Sequence, residues 1–153
     1  MAKQVDDPDV VNPIREKTLI LEYQLLQKYS PVGMFCIPKP DTGMSEWHGV
    51  YLCKQGIYSE AVLKFRLDFP KQYPKQMPRV LFTTPVFHPL VDHQTGQLRL
   101  QTEFSEWAVG KDWIIQVLLY IKKIFHLEMY YSLENDIDNA WNTSAFNLYH
   151  RNF

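Results

Sequence analysis

The strongest constraint on the fold is an alternation of apolar and polar side chains between residues 62 and 69. The apolar set, separated by single charged residues, is Leu63, Phe65, Leu67 and Phe69. Successive side chains of a β-strand point to opposite faces, so this pattern predicts a strand with one buried face. Half-buried strands are typical of antiparallel sheets, because strands of parallel sheets are buried on both faces. The sequence therefore predicts an antiparallel sheet that is covered on one side.

Three further apolar stretches predict the other strands of this sheet. They are Gly33–Ile37, Trp47–Cys53 and Val80–Phe82. Segments rich in Pro, Gly and Asp separate the stretches, as expected for turns and loops. No helical pattern intervenes between them, so the four strands are expected to form an antiparallel meander.

The residues that follow position 11 predict an N-terminal helix. Asn12 can cap a helix, and Pro13 is tolerated at the first helical position. Two apolar stripes at helical spacing then run side by side, and both are expected to be buried. They consist of Ile14, Thr18, Leu21 and Leu25, and of Leu19, Tyr23 and Leu26. The preceding residues 1–11 are acidic, and we expect them to form a flexible arm.

Two more helices are predicted after the sheet. The segment from Pro85 to Gly110 has no regular pattern, and loops of this length within a domain are usually functional. Asp112 is then predicted to cap a helix in which apolar residues from Ile114 to Phe125 keep the helical period. A last helix is predicted from Asn142 to Phe153. This order of elements indicates one α+β domain over residues 12–153.

Charge and composition exclude several classes of function. The chain has 16 Lys and Arg against 17 Asp and Glu, a net charge of −1. Nucleic acids and anionic membranes attract a clustered excess of basic residues, so neither is an expected partner. No phosphate loop, nucleophile elbow or metal-ligand spacing is present, so we expect no cofactor and no metal. We also expect a cytoplasmic protein without membrane insertion, because no signal-peptide or membrane-spanning pattern is found.

The candidate reactive side chains are few. Cys36 and Cys53 lie in predicted strands beside apolar residues, and two cysteines are too few for a disulfide framework. A reactive thiol needs exposure and positive neighbours, so both are expected to be buried and inert. His88, between Phe87 and Pro89, is expected to be a hydrogen-bonded structural histidine, since a general base requires a placed partner.

Several motifs resemble the core of the ubiquitin-conjugating enzymes. The segment Phe69–Phe82 is similar to that family's Tyr-Pro-x-x-x-Pro-x-Val-x-Phe sequence, and Phe87–Pro89 to the start of its His-Pro-Asn motif. Gly96–Leu100 resembles its Gly-x-Ile-Cys-Leu motif, and Trp107 falls where the family has its next Trp. The motifs follow in the family order over residues 14–153, so the chain is identified as a member. The family usually continues through a fourth helix beyond the point where this sequence stops.

Two departures from the motifs change residues on which the family's reaction depends. The nucleophilic Cys, which accepts ubiquitin as a thioester, matches Arg99, and a protonated guanidinium cannot attack a carbonyl. The Asn that the resemblance implies to hold oxyanion charge matches Leu90, which has no donor. The resemblance therefore implies a protein that is not an enzyme. Its degenerate active-site positions are His88, Pro89, Leu90, Arg99 and Trp107.

Three other side chains are candidates for protein contacts. Lys75 matches the Phe that follows Tyr-Pro in many active members, so a charge replaces an apolar anchor for ligases. The alternative is that Lys75 is an ordinary solvated loop residue. Trp47 and Tyr58 are candidate partner-contact aromatics, although core packing, the alternative for each, is the commoner role of such residues.

Within the family, short motifs resemble the fused-toes and crossbronx group. They include Trp47–Val50, Lys54–Tyr58 and Pro85–Val91. The resemblance implies an adaptor that binds Hook-type coiled-coil proteins and links endosomal cargo to dynein, with endosome association through its partners. One alternative is a variant that binds ubiquitin or pairs with an active conjugating enzyme. Another is residual enzyme activity through Cys36 or Cys53.

Overall fold

The computed structural model describes residues 10–54, 56, 58–126, 142, 144 and 145. Within these residues the elements are α1 (Arg15–Tyr29), β1 (Met34–Pro38), β2 (Glu46–Leu52), β3 (Val62–Asp68), β4 (Arg79–Phe82) and α2 (Ile114–Lys123). Nearly all of the predicted arm and most of the predicted last helix lie outside the described residues. No helix in the described part of the chain is long and apolar enough to cross a membrane.

The four described strands form one antiparallel sheet in the order β1-β2-β3-β4, which confirms the predicted meander. The pairing of β2 with β3 runs from Glu46 opposite Asp68 to Leu52 opposite Val62. The alternation in β3 is also confirmed, because Leu63, Phe65 and Leu67 are buried while Val62 and Lys64 on the opposite face are exposed. The sheet therefore has one covered face and one open face.

Aromatic side chains join both helices to the covered face of the sheet. Tyr23 of α1 lies edge-on to Trp47 of β2, with 5.6 Å between the ring centroids. Phe125, two residues after the end of α2, contacts Tyr51 of β2 and Phe82 of β4, with centroid distances of 5.9 Å in both pairs. The core thus lies between the sheet and the two helices, and it is rich in aromatic rings.

Only one of the two stripes predicted on α1 is buried, and the helix begins at Arg15 rather than at Pro13. The buried residues of α1 are Arg15, Leu19, Glu22 and Leu26. Ile14, Leu21 and Leu25 are 50%, 59% and 43% exposed, so the expectation that they are buried was wrong. The buried side holds two charged groups that find partners there. The guanidinium of Arg15, for example, donates to the carbonyl oxygens of Pro70 and Phe69 across 2.9 and 3.1 Å.

The start of α2 also differs from the prediction. Asp112 does not cap the helix, since its Oδ2 accepts the N–H of Ala108 across 2.8 Å. Trp113 occupies the N-cap position, and the N–H of Ile114 donates to Oε1 of Glu22 across 2.8 Å. A carboxylate from α1 therefore satisfies a first-turn donor of α2, and it lies where the helix dipole favours negative charge.

Asn142 is the described residue that begins the predicted last helix. Its Oδ1 accepts the N–H of Ala145 across 3.0 Å, which is the hydrogen bond of a helix N-cap. Its own N–H donates to the carbonyl oxygen of Pro89 across 2.9 Å. Asn142 is thus joined to the motif around His88.

Candidate functional site

The segment after β4 brings two motif positions into direct contact. Val91 pairs with Leu98 in an isolated antiparallel bridge. The N–H of Arg99 donates to the carbonyl oxygen of Leu90 across 2.8 Å. The N–H of Leu98 donates to the carbonyl oxygen of Val80 across 2.9 Å. Leu90 and Arg99, matched from sequence to the oxyanion and nucleophile positions, are therefore neighbours beside the edge of β4.

His88 is fully buried, and both of its ring nitrogens are used within the fold. Nδ1 accepts the N–H of Leu90 across 3.0 Å, and Nε2 donates to the carbonyl oxygen of Ile124 across 2.7 Å. These partners fix the neutral tautomer with the proton on Nε2, because one is a donor and the other an acceptor. Burial lowers the pKa of His88 to about 4, against a smaller raising effect of the Ile124 hydrogen bond. His88 is therefore a neutral structural group at neutral pH.

Leu90 is also fully buried, and its side chain belongs to the hydrophobic core. An isobutyl group offers no donor to a developing oxyanion, and an amide at this position would enter an apolar environment. The fold therefore uses this motif position for packing.

Arg99 lies between the buried side chains of Leu98 and Leu100, and it is itself half-buried. Its carbonyl oxygen accepts the hydroxyl hydrogen of Tyr120 of α2 across 3.2 Å. Burial raises the pKa of Tyr120, so this phenol stays a neutral donor. A guanidinium supplies positive charge rather than a nucleophile.

The two cysteines lie outside the Leu90–Arg99 pair, and Cys36 is far from it across the sheet. Cys36 is on β1, which is the opposite edge strand from β4. Four strand spacings of about 4.8 Å separate β1 from the segment beyond β4, a span of roughly 19 Å. Burial raises the pKa of the Cys36 thiol to about 12, although the residue is half-buried rather than buried as expected. Cys53 follows β2 and is buried, as predicted.

Trp107 and Lys75 occupy two adjoining loops. The ring of Trp107 packs against Phe104 and Tyr73, with centroid distances of 5.4 and 6.3 Å. Its indole N–H is buried and has no hydrogen-bond acceptor among the described residues. Lys75 is exposed, and its backbone N–H donates to the carbonyl oxygen of Gln72 across 2.8 Å. The Tyr73–Trp107 contact therefore joins the proline-rich loop to the loop before α2.

Trp47 was wrongly predicted as a candidate partner contact, because it is fully buried. Its ring packs against Tyr23 and Phe69, and its indole N–H donates to Met44 across 3.0 Å. Tyr58 is half-buried, its hydroxyl donates to the carbonyl oxygen of Phe87, and its ring meets Phe125 edge-on at 5.3 Å. Core packing, the alternative for both aromatics, explains these contacts.

Glu22 is a buried charge that the sequence analysis missed. Its Oε1 accepts the N–H of Ile114, and its Oε2 accepts the hydroxyl hydrogen of Tyr73. Burial raises the pKa of Glu22, whereas the two hydrogen bonds lower it. The signal was available in its spacing, since Glu22 lies three residues after Leu19 and four before Leu26.

An open cleft lies beside the site, between the loop before α2 and the outer side of that helix. Its volume is about 380 Å³, and its lining includes Glu103, Asp112, Leu119, Tyr120 and Lys123. Lys123 and Glu103 form an ion pair across 3.3 Å at its rim. Among the described residues, no group of three His, Cys, Asp or Glu side chains could hold a metal ion.

Comparisons with known proteins identify relatives of this chain. The family described as "Ubiquitin-conjugating enzyme" matches residues 18–152. "AKT-interacting protein" of Xenopus tropicalis is 36% identical over 112 residues, which are 72% of this chain and 38% of that protein. "Protein crossbronx" of Drosophila ananassae is 33% identical over 127 residues, which are 81% of this chain and 52% of that protein. The chain thus spans about two fifths to half of the length of these relatives.

A solved structure has a similar fold. Human ubiquitin-conjugating enzyme E2 G1 superposes with a TM-score of 0.65 at 21% identity, over 72% of this chain and 93% of that chain. The antiparallel sheet with a helix before it and a helix after it is the arrangement shared with that fold.

Proposed function

Because the chain belongs to the ubiquitin-conjugating enzyme family, and within it to the fused-toes and crossbronx group, we propose that it is a non-catalytic member that binds other proteins. The observation that carries the proposal is the pairing of Arg99 with Leu90. A thioester requires a thiolate nucleophile, and stabilising the tetrahedral intermediate requires a donor. Neither side chain supplies what that reaction needs.

The remaining thiols do not replace the lost nucleophile. Cys36 lies at the far edge of the sheet with a pKa of about 12, so its thiolate is scarce at neutral pH. Cys53 is buried after β2. The proposal therefore assigns no reaction to either cysteine.

The motif residues are then the retained scaffold of a lost active site. His88 joins the motif to the end of α2, Pro89 joins it to Asn142, and Leu90 fills the core. Arg99 and Trp107 complete the set of degenerate positions. These roles explain why the motif keeps its order after the reaction is lost, since each contact stabilises the domain.

As to partners, we propose that the protein is an adaptor in a Hook-type complex that links endosomal or vesicle cargo to dynein. It would then be cytoplasmic and associated with endosomes through its partners. The printed name of the AKT-interacting proteins states a protein partner for those relatives, which supports a protein-binding role here. Docking of ordinary ligases is expected to be weak, because Lys75 brings a charge to their apolar anchor position.

A ubiquitin-handling role is the second candidate. Phe35 and Ile37 are 63% and 59% exposed on β1, and they provide apolar surface on the open face of the sheet. Such a surface can hold ubiquitin or an active conjugating enzyme without any covalent chemistry.

The test is a direct binding measurement with purified components. A Hook-type coiled-coil segment, ubiquitin and an active conjugating enzyme are each immobilised and titrated with the chain. Human ubiquitin-conjugating enzyme E2 G1 serves as the control of the same fold. We expect saturable binding to the coiled coil by the chain and not by the control. Binding only to ubiquitin or to the active enzyme would replace the adaptor role with the second candidate.

A further inference from the structure

One side of α1 carries a row of largely exposed residues that we call the α1 stripe. It consists of Ile14, which directly precedes the helix, and of Thr18, Leu21, Leu25 and Lys28. The successive spacings are four, three, four and three, which is the heptad period of a helix seam. Its three aliphatic residues are half or nearly half exposed. The hydroxyl of Thr18 donates to the carbonyl oxygen of Ile14 across 2.8 Å, so it is already satisfied within the helix.

Single exposed apolar residues are common and need no explanation, but the α1 stripe is regular. The neighbouring row of α1, from Arg15 to Leu26, has the spacing four, three and four and is buried in the domain core. Within the described part of the chain, the helix therefore has two adjacent seams, one buried in the core and one exposed. A seam of this spacing accepts another helix at a crossing angle of about 20°.

The charges beside the α1 stripe indicate which flanking residues a partner helix should have. Lys17 and Gln24 follow its edge on the side away from the core, and Lys28 closes its C-terminal end. Glu16 is roughly 160° from the centre of the stripe at 100° per residue, on the far side of the helix. A helix that packs on the stripe would therefore place its flanking residues beside lysines, and acidic residues there are favourable.

We propose that the α1 stripe docks an amphipathic helix of a partner protein, with aliphatic residues in its seam and acidic residues along its flank. The inference rests on the proposed adaptor function and deepens it, because it names the surface and the kind of segment that the partner supplies. A helix of a coiled coil has this chemistry.

The test uses a designed probe whose seam and flank are known. The probe is a labelled four-heptad peptide with Leu at the a and d positions and Glu at e and g. The matched control is a basic peptide with the same Leu seam and with Lys at e and g. Fluorescence anisotropy is measured against the full chain. We expect saturable binding of the acidic peptide and at least tenfold weaker binding of the basic peptide.

Variants of α1 make the test specific. Leu21→Gln with Leu25→Gln removes the centre of the stripe without a change in charge, and we expect at least tenfold weaker binding of the acidic peptide. Ile20→Gln is the matched control, because Ile20 is an exposed aliphatic residue of the same helix outside the stripe. Circular dichroism checks that each variant remains folded. Lys17→Glu with Lys28→Glu is expected to reverse the preference between the two peptides.

Three results would overturn the inference. The acidic peptide could fail to bind the chain, or it could bind the Leu21→Gln, Leu25→Gln variant as tightly as the unaltered chain. A concentration-dependent dimer that this variant abolishes would assign the stripe to a second copy instead. A parallel titration with a purified Hook-type coiled coil tests the adaptor function separately. If that coil binds the variant and the unaltered chain equally, the function stands and the α1 surface does not.

Discussion

The N–H of Arg99 donates to the carbonyl oxygen of Leu90 across 2.8 Å, so the two positions that depart from the family's chemistry are neighbours. The backbone contact brings these positions together, while neither side chain can take part in thioester transfer. The fully buried side chain of Leu90 packs in the core, and the half-buried Arg99 places a guanidinium at the other position. The proposed loss of thioester transfer is therefore a change of side chains on a retained backbone.

Replacement of His88 should destabilise the domain strongly. His88→Ala leaves the N–H of Leu90 and the carbonyl oxygen of Ile124 buried without partners, and it also opens a cavity. We expect a loss of about 3 kcal/mol in the free energy of unfolding, measured by urea titration. His93→Ala is the control on an exposed residue, with an expected change within about 0.5 kcal/mol. Equal effects of the two variants would contradict a structural role for His88.

The same histidine should make stability depend on pH. Its pKa falls from 6.5 to about 4 on folding, so the unfolded chain binds more protons between these values. The contribution of His88 is complete above pH 6.5 and decreases as the pH falls toward 4, by up to about 3 kcal/mol. We expect the stability difference between the unaltered chain and His88→Gln to shrink over this range. A difference that is independent of pH would show that His88 is not neutral and buried.

Loss of the Glu22 carboxylate should loosen the start of α2. Glu22→Leu leaves the N–H of Ile114 and the hydroxyl of Tyr73 without their acceptor, and we expect a cost of about 2–4 kcal/mol. Glu22→Gln keeps an acceptor oxygen and should be tolerated better. Because burial raises the pKa of Glu22, the unaltered chain should lose stability relative to Glu22→Gln as the pH rises above about 4.5. Hydrogen exchange at Ile114 gives the local readout, and Glu16→Gln on the exposed side of α1 is the control.

Restoring the family's Asn should fail for a physical reason. Leu90→Asn places an amide in the core, and we expect it to lower the free energy of unfolding by about 2–4 kcal/mol. Leu90→Met conserves the volume and should cost less than about 1.5 kcal/mol. Thermal unfolding separates the two variants. If Leu90→Asn is as stable as Leu90→Met, the side chain is not packed as the structure has it.

Both thiols should react slowly in the folded chain. A pKa near 12 rather than 9.0 reduces the thiolate fraction of Cys36 by roughly a thousandfold. Alkylation with iodoacetamide at pH 7.5, followed by mass spectrometry, should leave Cys36 and Cys53 unmodified long after a free cysteine has reacted. In urea both should react rapidly. Fast alkylation of Cys36 in the native chain would reopen a reactive role for it.

Residue patterns predicted the sheet more accurately than the helix contacts. The alternation around Phe65 determines which face of β3 is buried, because the side-chain period of a strand is fixed at two. On α1 two apolar rows have helical spacing, and periodicity alone does not choose between them. The choice follows from the partners of Arg15 and Glu22 on the buried side. One of the two partners of Glu22 is 92 residues away, at Ile114, so local capping rules pointed to Asp112 instead.

Sequence motifs indicated the positions of the candidate site, whereas the roles of residues that depend on tertiary contacts did not follow from the sequence. Sequence placed Leu90 and Arg99 at corresponding motif positions, and the structure makes them neighbours. The residue type of Trp47 is compatible with an interface or with a core. The packing of Tyr23 and Phe69 around it shows that it lies in the core. Partners depend on surfaces that no motif describes.

The most direct test of the central claim is a ubiquitin-loading measurement. The chain is incubated with activating enzyme, ATP and ubiquitin, and the products are resolved with and without a thiol reductant. Human ubiquitin-conjugating enzyme E2 G1 is the positive control for loading. We predict no reductant-sensitive ubiquitin adduct on the chain while the control loads fully. A reductant-sensitive adduct that disappears in Cys36→Ser or Cys53→Ser would contradict the account.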